Sequence, residues 1–195
     1  MENEKQLTES ESLEVIQRMI LTAKNDLEDD SFYFLLWGWF VFIASITQYV
    51  LMHFEIEMSY IGWMILMPLG GLLTFIYGRK QNKSKKVKSY IDELMGYVLI
   101  AFLVSLFIVL FSQAMLKLNC YPMVMMVYGI WLFVSGGAIK FKPLIIGGII
   151  NWALCIASFF VSFEIQLLLL ALAVLLGYII PGHMLKSKYK KQNAA

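Results

Sequence analysis

Charge is what most of this sequence lacks. Only 15% of its 195 residues are Asp, Glu, Lys or Arg and 59% are hydrophobic, whereas soluble domains run near 25% charged and 45–50% apolar. Six windows contain no Asp, Glu, Lys or Arg: 32–52, 59–77, 95–115, 121–139, 143–161 and 165–185, with His183 near the end of the last. A soluble core of this size could not bury so much segregated apolar surface, which excludes a soluble globular fold. Ionisable groups inside a membrane mark proton relays and ion paths. Their absence from the spans argues against proton- or sodium-coupled transport. Cysteine is nearly as scarce. Cys120 and Cys155 cannot build a disulfide framework and are expected to be packing residues. His53, Glu55 and Glu57 share the first outer loop, but no second His or Cys stands at ligand spacing beside them, so no metal site is expected. The chain shows no nucleophile–base pair, phosphate loop, zinc-protease motif or dinucleotide fingerprint, so neither catalysis nor a cofactor is expected. A cleavable leader is not expected either. The first apolar run begins at Phe32, is about 20 residues long, and follows acidic Asp26, Glu28, Asp29 and Asp30 rather than a basic segment.

What is present is a set of membrane spans. About 20 apolar residues at 1.5 Å per residue cross a hydrocarbon core of about 30 Å. The six windows therefore predict an all-α, polytopic integral membrane protein: a bundle of about six transmembrane helices (residues 32–185), preceded by an amphipathic helical extension (1–31) and followed by a basic tail (186–195). Lys and Arg fix the orientation. Residues 1–31, the loop from Arg79 to Lys88, the turn with Lys140 and Lys142, and the tail hold fifteen of them, and the three opposite loops hold only Lys117. Under the positive-inside rule both termini are cytoplasmic. Tyr49, Trp63, Tyr77, Tyr97 and Tyr121 near span ends suit interfacial belts. Short loops force sequence neighbours into antiparallel hairpins. Small residues (Gly70 and Gly71, Gly136 and Gly137, Gly147 and Gly148, Ala153 with Ala157, Ala173 with Gly177) mark expected close approaches of helices.

Two features stand apart from the plain span pattern. The first lies within the spans: Asn151 falls near the midplane, about 12 Å from the cytoplasmic end of its helix. Its amide needs a partner there, as interhelical glue or as part of a pocket lining. Pro68, with Gly70 and Gly71, interrupts the second span near its centre, as a kink or as the broken helix of a substrate path. The second is the N-terminal helix over 8–30. Thr8 and Glu11 fit a capping box, and Leu13, Ile16, Ile20, Ala23 and Leu27 form one apolar stripe at spacings of 3, 4, 3 and 4. Residues 1–31 carry nine acids against three bases, so an anionic leaflet repels this helix. Its stripe must be covered by protein: the bundle's own cytoplasmic side, with the basic Arg79–Lys88 loop as counter-charge, a second copy of the chain, or a cytoplasmic protein partner. The basic loop adjoins two spans and is a topogenic, lipid-contacting segment rather than a nucleic-acid site.

Three stretches carry a family resemblance: Glu11-Ser12-Leu13 to Lys24; Leu132 to Trp152, with Lys140-Phe141-Lys142-Pro143-Leu144-Ile145-Ile146-Gly147-Gly148; and Gly177-Tyr178-Ile179-Ile180-Pro181-Gly182-His183. They cover about a third of the chain, which resembles a family of small six-helix bacterial inner-membrane proteins whose activity is uncharacterised. The resemblance implies a bacterial inner-membrane location and carries no functional residues. The expectation is a non-enzymatic membrane protein that assembles, regulates or signals through its cytoplasmic helix. The rival is a small oligomeric permease or channel with a path near Pro68 and Asn151.

Overall fold

The structure, a computed structural model, describes the backbone of residues 9–82, 90–116 and 119–193. Side chains are described at position 17 and over 31–80, 93–116 and 119–191. All the regular structure among these residues is helical: α1 (Glu9–His53), α2 (Ile61–Asn82), α3 (Tyr90–Leu116), α4 (Tyr121–Ala138), α5 (Lys142–Ser158), α6 (Phe163–Val174), a π-helical turn (Leu175–Ile179) and α7 (Ile180–Asn193). Five stretches are long and apolar enough to cross a membrane: Ser31–His53, Ile61–Lys80, Glu93–Leu116, Tyr121–Ala138 and Phe163–Lys191. These match the charge-free windows to within a few residues, except that the last runs on as helix through most of the basic tail. Helix α5 has 17 residues, the lower limit for a span, and it ends at Ser158, with 159–161 in the turn rather than in the helix.

The first span and the N-terminal extension are not separate elements. α1 is a single helix of 45 residues, about 68 Å long at 1.5 Å per residue. The sequence holds no glycine or proline before Gly38 that would break it. The expected boundary near residue 31 falls inside this helix. The side chains of Leu13, Ile16, Ile20, Ala23 and Leu27, the expected interaction face, lie outside the described residues, as does the loop segment 83–89.

α1 packs against α2, α6, the π turn and α7, while α4 and α5 form the closest hairpin. α3 packs only on α4, and the backbone of α2 only on α1, among the described residues. Only 6% of the α3 span and 11% of the α2 span is buried in protein, against 56% for α4. Phe107, Ile100, Phe111, Met64 and Phe75 accordingly stay exposed, which fits a lipid-facing outer surface. The core runs through Val41, Ala44, Met125, Leu132, Leu144, Leu167 and Leu170.

Two turns are closed by the same device. At the end of α1, Ile56 N–H donates to the Leu51 carbonyl at 2.9 Å and Glu55 N–H to Met52 at 3.0 Å. Between α4 and α5, Phe141 N–H donates to Gly136 at 2.8 Å and Lys140 N–H to Gly137 at 3.2 Å. Both are Schellman pairs, which satisfy terminal carbonyls and place one residue in the left-handed region. Glu55 (φ 56°) and Lys140 (φ 52°) occupy those positions in place of the usual glycine. The second turn sets the α4–α5 hairpin and so positions the site below.

Candidate functional site

α5 lies so close to the π turn that backbone meets backbone. A Cβ on Gly147 would stand 2.8 Å from the Gly177 Cα, and one on Gly177 would overlap the Asn151 amide and the Leu132 side chain. Backbone thus opposes a side chain at Gly147, and at Gly177 the Asn151 amide and the Leu132 side chain would have to shift to admit one. One turn beyond Gly147, Asn151 is fully buried. Its Nδ2 donates to the Gly147 carbonyl at 2.9 Å, within its own helix, and to the Ala173 carbonyl of α6 at 3.1 Å. That second bond ties α5 to α6 just before the π turn, where Ile180 N–H reaches back five residues to the Leu175 carbonyl. A π turn shifts the backbone ladder by one residue and is often found at functional sites.

The surroundings hold unused hydrogen-bonding capacity. Among the described residues, Asn151 Oδ1 and the Tyr178 hydroxyl are buried without a partner, as is Ser135 Oγ elsewhere on α4. Tyr178 lies in the π turn, its ring 5.3 Å from Tyr128 and 6.0 Å from Phe34, and its Cβ is against Gly38 of α1. The π turn thus touches α1 on one side and α5 on the other. The unused amide oxygen of Asn151 lies on the α5 side of the π turn, and the Tyr178 ring lies on its α1 and α4 side. Among the described residues no group of three His, Cys, Asp or Glu residues could hold a metal ion.

The residues singled out in the sequence are not brought together. Pro68 is exposed on α2, which runs unbroken through it. Gly70 is buried against Phe40 and Trp37 of α1, and Gly71 has nothing within 4 Å of where a Cβ would stand. Among the described residues α2 and α5 of one copy are not in contact, so a single copy does not bring Pro68 and Asn151 together, and the close packing is that of Asn151 and the π turn. Small residues also behave unevenly. Gly136 abuts Ile145 and Gly148 abuts the Gly129 carbonyl, but Gly137 is open, and Ala153 and Ala157 face outward.

A second polar cluster escaped the sequence reading. Gln48, buried in α1, accepts hydrogen bonds at Oε1 from Trp63 Nε1 of α2 and from the Tyr121 hydroxyl of α4, the latter at 2.6 Å. It joins three helices near the end of the bundle opposite the π turn. Beside it, Cys120 donates its thiol to Gln113 of α3. Burial pushes the Cys120 thiol up to about 11, against a smaller lowering by a backbone hydrogen bond. Both cysteines are free and buried. Comparison with family models, curated proteins and solved structures gives no match to this chain.

Proposed function

We propose that this chain is a non-enzymatic, multi-pass component of a bacterial inner membrane that assembles, regulates or signals through the N-terminal part of α1, with both termini in the cytoplasm. The observation that carries the reading is the unbroken course of α1. Its membrane half packs on α2, α6, the π turn and α7, and its other half, residues 9–30, continues as the same helix. A rigid helix transmits rotation or translation along its length, so rearrangement at the π turn would reach the extension. The bilayer is the medium. The working contact is a second copy of the chain or a cytoplasmic protein, with neither nucleic acid nor a cofactor involved.

A photo-crosslinking residue at position 16 or 20, in cells, tests this reading. The expected result is an adduct with a second copy or with a cytoplasmic protein, lost in Ile16→Asp and Ile20→Asp variants whose spans remain folded. No adduct at either position would overturn it. Orientation is checked separately by cysteine labelling. Position 55 should label from outside and position 85 only from inside.

A small permease is the second reading, favoured by the unpartnered Asn151 Oδ1 and Tyr178 hydroxyl beside a π turn. Its signature is solute flux in proteoliposomes that Asn151→Leu abolishes. The regulatory reading expects none.

A further inference from the structure

We propose that the docking surface for the cytoplasmic part of α1 is the end of α7, so that the two helices form an antiparallel stalk continuing the membrane seam. This proposal rests on the reading of α1 as the working element and names the surface against which it is held.

The first support is register. Gly38 meets Tyr178 and Ile179, and Phe34 and Leu35 meet Gly182. Numbers fall along α1 as they rise along α7, so the helices are antiparallel. Two turns further, seven residues on each, Leu27 and Glu28 stand level with Tyr189. The last described residue of α7, Asn193, stands level with position 24.

The second support is phase. Ser31, Phe34, Gly38, Val41, Ser45 and Gln48 of α1 are all buried, at spacings of 3, 4, 3, 4 and 3. The apolar stripe Leu13, Ile16, Ile20, Ala23 and Leu27 joins this series without a break in phase, because Leu27 stands four before Ser31. One helical face therefore runs from residue 13 to residue 48. Its membrane part packs on α6, the π turn and α7, and the sequence pattern carries the same phase into its outer part.

The third support is on α7. Beyond His183 this helix is lysine-rich and mostly exposed, yet Leu185 is 0% and Tyr189 only 4% exposed. Pro181, Gly182, Leu185 and Tyr189 form its buried face, and α1 is one of the helices it packs on. A tyrosine this deep in a basic segment has a cover, and the register places α1 over it.

Charge follows the same division. The α1 turn at 26–30 carries Asp26, Glu28, Asp29 and Asp30 and no base, whereas α7 carries Lys186, Lys188, Lys190 and Lys191 and no acid. Lys188 is turned toward the ring of Phe141, just before α5, 5.6 Å from its centroid. Lys186 and Lys190 share an open groove with His183 and Ser187 on another face. On the other flank, Gly70 on Phe40 and Gly78 near Tyr33 put Arg79 and Lys80 level with residues 30–32. The acidic turn is thus flanked by two basic helix ends. Leu13, Ile16 and Ile20 overhang the end of α7, which leaves them for the partner of the preceding section.

The test uses the full chain in lipid nanodiscs with Leu27→Cys and Tyr189→Cys together. Oxidation should give an intramolecular crosslink. Leu13→Cys with Tyr189→Cys, about 21 Å further along the helix, should give none. Hydrogen exchange guards against misfolding. Tyr189→Asp should accelerate exchange over residues 18–30 by about tenfold or more, the factor implied by losing one buried aromatic, and leave residues 34–45 unchanged. No 27–189 crosslink in a protein whose spans keep their wild-type exchange overturns the proposal. So does exchange over 18–30 that Tyr189→Asp leaves unaltered. A crosslink without any adduct at positions 16 and 20 upholds the stalk and removes the regulatory reading alone.

Discussion

Substituting Gly147 by alanine probes the closest helix contact in the molecule. The added Cβ would stand 2.8 Å from the Gly177 Cα and 3.1 Å from its carbonyl oxygen. Non-bonded carbons rest at about 3.5–4.0 Å. The two backbones would therefore have to part by about 0.7–1.2 Å, since neither is a flexible side chain. That movement stretches the Asn151–Ala173 hydrogen bond from 3.1 Å toward about 4 Å, beyond hydrogen-bond range. Overpacking of this kind costs about 1–3 kcal/mol, and an interhelical hydrogen bond in a membrane adds about 0.6 kcal/mol. The higher helix propensity of alanine returns at most about 1 kcal/mol. The net expectation is destabilisation by about 1–3 kcal/mol, measured by thermal unfolding in one detergent with the buried Cys155 thiol as a second probe. Gly137→Ala is the control, because nothing lies within 4 Å of its Cβ position. It should be neutral or slightly stabilising. Equal stability of Gly147→Ala and wild type, or a larger loss in Gly137→Ala, would refute the contact.

Asn151→Leu removes the tie to Ala173 and should cost about 0.5–2 kcal/mol. Combined with Gly147→Ala it should cost less than the sum, because both act on one bond. Gln48→Leu strands two donors, Trp63 Nε1 and the Tyr121 hydroxyl, so a loss of about 1–3 kcal/mol is expected in the same melt. Cys120, with its thiol at about 11, should be only about 0.1% thiolate at pH 8, some hundredfold below an ordinary cysteine. Its alkylation should stay slow there and rise through pH 11, and fast labelling at pH 8 would contradict its burial.

The spans were legible because twenty apolar residues without charge have few other soluble or membrane solutions, and their ends fell within a few residues of the helices found. The extension was legible as a helix but not as part of the first span. The acids at 26–30 look like a boundary, while the deciding signal is the lack of any glycine or proline before Gly38. Spacing alone could not say which way a small residue faces. Ala153 and Ala157 share the four-residue spacing of Ala173 and Gly177, yet the first pair points outward and the second is buried. Gln48 carries no local signal, since an amide near a span end can be solvated. Its partners are 15 and 73 residues away in sequence, and no local pattern announces them. The π turn is equally silent, since Leu-Leu-Gly-Tyr-Ile suits an ordinary helix. Only the close packing around Gly147 and the Asn151 amide distinguishes it.

The central claim is that α1 runs as one rod from the membrane into its acidic extension. It is tested most directly by electron spin distance measurement between labels at Gln17→Cys and Ile43→Cys in nanodiscs. Both positions are exposed, so the labels disturb no packing. Twenty-six residues of continuous helix predict a single narrow distribution near about 39 Å. A broad distribution, or a maximum well short of that distance, would mean that the helix breaks near residue 30 and that the extension is not coupled to the bundle.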